Sequence, residues 1–156
     1  MRINVLLISK MERNIGALKS MIDDEDIFVL GDTPGGAVAL DKIENTSPDI
    51  IILTLGAGDT DVLNLAERII LHRPRTFVIL VAEHLDVETM QSAVKVGCHN
   101  LTEFPKSPKE FAEYIKSVYH NESIRLKSLS DKEYVKLSPC TVKVPHSLLV
   151  PSFLTQ

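Results

Sequence analysis

The sequence predicts an α/β protein with a doubly wound, five-stranded parallel sheet of flavodoxin-like strand order 2-1-3-4-5, followed by a C-terminal extension. Short apolar runs alternate with amphipathic stretches of helical spacing along residues 1–120. The run Ile50-Ile51-Ile52-Leu53 is continuously apolar, which fits a strand buried on both faces of a parallel sheet. Several helical stretches also carry their own start or stop signals, so the alternation does not rest on periodicity alone.

Taken in order, Ile3 to Ile8 reads as the first strand. Met11 to Ile22 follows as a helix with Ile15, Leu18 and Ile22 on one side. The acidic run Asp23-Asp24-Glu25-Asp26 lacks the spaced ligands and glycine of a calcium loop, so it reads as a solvated turn. Ile27 to Leu30 is the second strand, and Gly31-Asp32-Thr33-Pro34-Gly35-Gly36 is expected to break the chain. That glycine pair lacks both the P-loop spacing and the dinucleotide fingerprint, so a tight turn before a helix at Ala37–Ile43 is its expected use.

The third strand, Ile50 to Leu53, starts after Pro48-Asp49 and ends at Thr54, before the loop Gly56-Ala57-Gly58-Asp59-Thr60-Asp61. In such sheets chemistry gathers at the carboxyl ends of the strands, so the surroundings of Thr54 decide what this chain can do. Asp61 to Leu71 reads as the third helix, with Val62, Leu65, Ala66 and Ile69 inward and His72-Arg73-Pro74-Arg75 as its stop. Phe77 to Val81 is the fourth strand. Asp86 caps a helix over Val87–Val96 that stops at Gly97. Asn100 to Thr102 is a brief fifth strand, Ser107 caps the fifth helix with Pro108 at its first position, and that helix runs to about Tyr119.

Residues 121–156 differ in character, which sets a boundary near 120. Asn121 to Ser130 reads as a linker or a frayed extension of the fifth helix. Glu133 to Leu137 and Thr141 to Val144 alternate like strands, but the segment is too short for a core of its own. An opening stretch of a further output domain, an arm on the sheet domain, an exchanged dimer element and disorder all stay open for it.

Composition narrows the classes. With 156 residues, 44% apolar and 24% charged, the chain suits one globular domain and an appendage. No apolar run has the length of a membrane span, and the start lacks a secretory h-region with a cleavage site. Net charge of −4 gives no general reason to expect nucleic-acid binding by residues 1–120. Cys98 and Cys140 lack metal-ligand spacing and read as reduced thiols, so a cytoplasmic location is expected. His84, His99 and His120 show no mutual spacing for a metal and default to the surface.

Residues spread along the first 120 positions resemble the receiver domain of bacterial two-component response regulators. Val5-Leu6-Leu7-Ile8, Gly36-Ala37-Val38-Ala39-Leu40, Pro48-Asp49 with the run after it, Asp61, Ala82 with Asp86, Glu88, Ala93 and Gly97, and Pro105 carry the likeness. The resemblance implies a pocket in which strand-end acids hold Mg²⁺ and an Asp accepts a phosphoryl group. It places the two strand-one acids at Ser9 and Lys10, the acceptor at Thr54, the switch hydroxyl at Val81, the Lys before the strand-five Pro at Phe104 and the switch aromatic at Leu101. Every one of these positions is changed.

Magnesium wants hard oxygen ligands, usually carboxylates. Ser9 and Thr54 offer neutral hydroxyls, and an ammonium at ~4 Å repels a divalent ion by several kcal/mol at an effective dielectric near 20. Thr54 has no evident base, and Phe104 cannot neutralise phosphoryl oxygens. The expectation is a degenerate receiver, or pseudo-receiver, that is not an enzyme, holds no cofactor or metal, and acts through another signalling protein or an output domain, with a homodimer left open. Phe104 is expected to plug the cleft, with a cis bond to Pro105 as the family tends to have. Lys10 either reaches across the vacant pocket or stays a loop cation, and Lys106 either swings in or stays on the surface. By family analogy the contact surface lies on the fourth helix, fifth strand and fifth helix, with Met90, Val94, Leu101, Phe111, Tyr114 and Tyr119 as candidates. The competing readings are a phosphoacceptor of non-standard chemistry and a small-molecule sensor using the emptied cleft.

Overall fold

A computed structural model describes residues 2–128 apart from Ala57 and His99. Its elements run β1 (Ile3–Ile8), α1 (Glu12–Met21), β2 (Ile27–Thr33), α2 (Gly36–Thr46), β3 (Ile50–Leu55), α3 (Thr60–His72), β4 (Phe77–Ala82), α4 (Val87–Lys95), β5 (Asn100–Glu103) and α5 (Pro108–Ser128). The strands form one sheet in the order β2-β1-β3-β4-β5, and every pairing is parallel. The expected α/β architecture and strand order are therefore those of the protein. None of the described helices is long and apolar enough to cross a membrane.

Every residue of β3 and of β4 is buried. Side chains alternate between faces along a strand, and both faces are covered here. Ile51, Leu53, Leu55, Val78, Leu80 and Ala82 join a core with α2, α3 and α4 residues such as Ile43, Ile69 and Ala93. Ile50, Ile52, Phe77, Ile79 and Val81 join the opposite core with Leu18 of α1 and Phe111, Ile115 and Val118 of α5. An apolar run without polar interruptions is the sequence consequence of that double burial.

Local signals set most boundaries. The Asp86 side chain accepts from the Thr89 N–H at 2.8 Å, capping α4, and this bond first of all holds its carboxyl below the usual range. Gly97 has φ +81, the left-handed conformation that glycine adopts most cheaply after a helix. The α2 helix runs beyond Ile43 to Thr46, where the Thr46 hydroxyl donates to the Lys42 carbonyl at 2.6 Å.

Two further boundaries and the reading of the acidic run also need correction. β2 continues through Gly31-Asp32-Thr33, because a register shift between Val5 and Leu6 lets Gly31 pair with Leu6 and Thr33 with Ile8. Edge-strand pairing is made by backbone, so Gly and Asp do not forbid it, and Lys19 ion-pairs Asp32. The fifth helix runs past Tyr119 to Ser128, so residues 121–128 extend it; the expectations for residues 129–156 lie outside the described residues. The acidic run after α1 is not merely solvated. Lys116 of α5 reaches Asp24 at 2.7 Å and Asp26 at 3.4 Å, anchoring that turn to the sheet domain.

Candidate functional site: the carboxyl ends of β1 and β3

Ile8, the last residue of β1, pairs with Leu53, so the residues that follow, Ser9 and Thr54, meet at the carboxyl edge of the sheet. Strand β3 holds Thr54 inside its pairing, opposite Val81 of β4, rather than just beyond it. Both hydroxyl residues are buried, and Val81 is fully so. The Thr54 hydroxyl donates to Ser9 Oγ at 2.6 Å. Ser9 Oγ lies 3.4 Å from the Met11 carbonyl, to which it donates, and accepts from the Met11 N–H at 3.2 Å. Each hydroxyl proton is thus engaged. A buried hydroxyl without partners would cost about 1–3 kcal/mol, so this circuit is what allows the two to sit inside.

The Thr54 hydroxyl has no base as its hydrogen-bond acceptor. The group accepting the Thr54 proton is another alcohol, which is no base near neutral pH. Phe104 is partly buried and packs against the core cluster that contains Val81. Its bond to Pro105 is not cis, since the described residues contain no cis peptide. The trans preference before proline is only ~0.5–1 kcal/mol, so surroundings decide the isomer and family likeness alone does not.

Lys10 does not reach into the pocket. Its ammonium sits at the rim, 3.3 Å from Asp61 and 3.7 Å from Asp59, and the side chain is half exposed. Asp59 is the residue that the sequence reading missed. One of its carboxylate oxygens accepts from the Gly56 N–H at 2.8 Å, and a Cβ at Gly56 would meet that oxygen at 3.0 Å. An Asp shortly after a glycine, just before a helix, is a turn signature that hinted at this fold-back. On the same rim Asn14 of α1 donates to Glu83, after β4, at 3.4 Å. Lys106 is exposed, as are His84 and His120, while His99 lies outside the described residues. Among the described residues no group of His, Cys, Asp and Glu has the arrangement to hold a metal.

The candidate contact residues divide sharply. Met90, Leu101 and Phe111 are buried core and are withdrawn as surface candidates. Met90 lies three residues before Ala93, so the two share the inward stripe of α4; Leu101 sits in the sheet; Phe111 lies with Ile115 and Val118 on the inward face of α5. Tyr114 and Tyr119 are partly buried against the α1/α5-side core. The Tyr119 ring packs edge-on to Phe77 at 6.1 Å, and burial pushes the Tyr114 phenol well above its ordinary pKa. Val94 is exposed on α4, and Val87, absent from the sequence-based set, is exposed on the same helix.

A profile for the response regulator receiver domain matches residues 5–116. The chain is 26% identical over 125 residues to the response regulator protein VraR of Staphylococcus saprophyticus, covering 80% of this chain and 60% of that protein. It is 28% identical over 119 residues to a protein-glutamate methylesterase/protein-glutamine glutaminase of Methanospirillum hungatei, covering 75% of this chain and 34% of that protein. The chain thus spans less than two thirds of the length of these curated relatives. In fold it superposes on a response regulator from Thermotoga maritima with a TM-score of 0.68 at 18% identity, covering 77% of this chain and 99% of that one.

Proposed function

The chain belongs to the response regulator receiver family, and on that premise we propose that it is a degenerate receiver, signalling through protein contact without a phosphorylation switch. The observation that carries this reading is the Thr54–Ser9 hydrogen bond of 2.6 Å at the position where the family resemblance puts the phosphoacceptor. A phosphoryl group there would have to displace a satisfied buried bond, and among the described residues the nearest ammonium, Lys10, is engaged with Asp59 and Asp61 on the rim. Val81, opposite Thr54, is fully buried, and Phe104 packs against the core cluster that Val81 belongs to, apolar surroundings that speak against a small-molecule sensor with convergent polar groups.

The contact surface in this proposal is the outer side of α4 and its neighbours β5 and α5. Val87, Gln91 and Val94 are exposed at successive turns of that helix, a spacing that suits a helix-face contact. The partner class is another signalling protein, an output domain or a second copy, and the activity at that contact is binding, with no catalysed reaction and no nucleic acid read by residues 1–120. The expected setting is the cytoplasm. The test is intact-mass spectrometry after incubation with acetyl phosphate and Mg²⁺. An unchanged mass supports the reading; a covalent phosphoryl adduct mapping to Thr54 or Ser9 would overturn it.

A further inference from the structure

Two loops leave neighbouring strand ends on this rim, and a single ammonium joins them. Lys10 follows β1, while Asp59 and Asp61 begin α3, and both carboxylates lie within ion-pair distance of Lys10 Nζ. Asp59 is also tied back to Gly56, so the ammonium holds an already folded turn and does not clamp a free chain. Acids at a helix N-terminus are favoured by the helix dipole, which contributes a few tenths of a kcal/mol to about 1 kcal/mol; Lys10 adds its own hold on Asp59 and Asp61 and links that turn to β1.

We propose that Lys10 is a built-in cation clasp, fastening the start of α3 to the β1–α1 turn, and that ionic strength, not a bound ion or phosphoryl group, sets how firmly it closes. This rests on the reading of the domain as a receiver without a phosphorylation switch. The exposure of the contact gives it its sensitivity. Lys10 is half exposed and Asp61 more so, so salt reaches the pair directly. Screening acts over ~8 Å at physiological ionic strength and ~3 Å at 1 M, which spans the contact distances seen here. The neighbouring Asn14–Glu83 contact has a neutral donor and serves as an internal contrast.

Three backbone bonds report on the turn: Asp59 N–H to the Gly56 carbonyl at 3.3 Å, Thr60 N–H to Gly58 at 2.9 Å, and Leu63 N–H to Asp59 at 3.3 Å. Amide hydrogen exchange at Asp59, Thr60 and Leu63 is measured by NMR on the full chain at low and at ~0.5 M salt, for the wild type, Lys10→Met and Asp61→Asn. In the wild type these amides should exchange about two- to fivefold faster at high salt, the range an exposed ion pair supports. Lys10→Met should exchange fast at both salts, with Asp61→Asn between. The Met90 amide, bonded to the Asp86 carbonyl at 3.0 Å on α4, should not move. Equal exchange in Lys10→Met and wild type at low salt, or a salt response that survives Lys10→Met, would overturn the clasp. Uptake of phosphate would overturn the pocket reading instead, so the two failures are told apart.

Discussion

The amino and carboxyl ends of the sheet use similar groups for different ends. At the amino end, Asp49 accepts from the Asn4 N–H at 2.8 Å, and its own carbonyl accepts from the Phe77 N–H at 3.0 Å, tying β3 to both neighbours. Lys116 there holds Asp24 and Asp26. At the carboxyl end the carboxylates of Asp59, Asp61 and Glu83 stand on the rim, and between β1 and β3 the buried groups are the hydroxyls of Ser9 and Thr54. Both ends carry acids and a lysine. The difference lies in where the charge sits: among the described residues the carboxyl end keeps its carboxylates and Lys10 on the rim, outside the Ser9–Thr54 pair.

Putting a charge inside should break the comparison most forcefully. Thr54→Asp buries a carboxylate beside Ser9 and Val81, with no cation inside to meet it, and should cost about 3 kcal/mol at pH 7 by denaturant unfolding. Burial would raise the pKa of the new carboxyl, so its deficit should shrink as pH falls and the group takes up its proton. A variant as stable as wild type at pH 7 would show that the cleft still accommodates an anion.

Removing the partly buried acid at the other end should do less but still be felt. Asp49→Ala leaves the Asn4 N–H without its side-chain acceptor and should cost about 1–2 kcal/mol in the same unfolding measurement. Away from both ends, Asp86→Ala loses the α4 cap and should cost about 1 kcal/mol, with no effect on the Thr54–Ser9 contact as read by its amide shifts.

The smallest effect concerns Lys116. A hydrogen bond from Lys116 lowers the pKa of Asp24, and the bond to Asp24 in turn raises that of Lys116. The depressed Asp24 pKa contributes stability present above its unfolded value and lost as pH falls through the folded value. The raised Lys116 pKa contributes stability present below its unfolded value and lost as pH rises through the folded one. The melting-temperature gap between wild type and Lys116→Met should therefore be small and level between about pH 5 and 9, and should close in acid. A gap that widened below pH 4 would show that Lys116 acts through something besides these acids.

The same contrast explains what could be read from the sequence. Ile50–Leu53 and Phe77–Val81 announced themselves because burial on two faces leaves no polar residue in the run. The end of β2 did not, since Gly31-Asp32-Thr33 pairs through its backbone after a register shift that no side chain encodes. Thr54 and Ser9 were put in one pocket by the receiver resemblance; their mutual bond is a three-dimensional fact that no such likeness states. Lys10 was read as either pocket cation or loop cation; its turn toward α3 depends on Asp59, whose position Gly56 makes possible. Met90, Leu101 and Phe111 were assigned to a surface by analogy, although their apolar character and periodicity fit the core equally well.

The most direct test is to offer the cleft the ligands of a working phosphoacceptor pocket. Mg²⁺ and then beryllofluoride are titrated into the ¹⁵N-labelled chain while the Ser9, Thr54 and Val81 amides are followed. The account predicts shifts no larger than those from matched ionic strength at these residues. Saturable shifts centred on Thr54, requiring both ligands together, would contradict it.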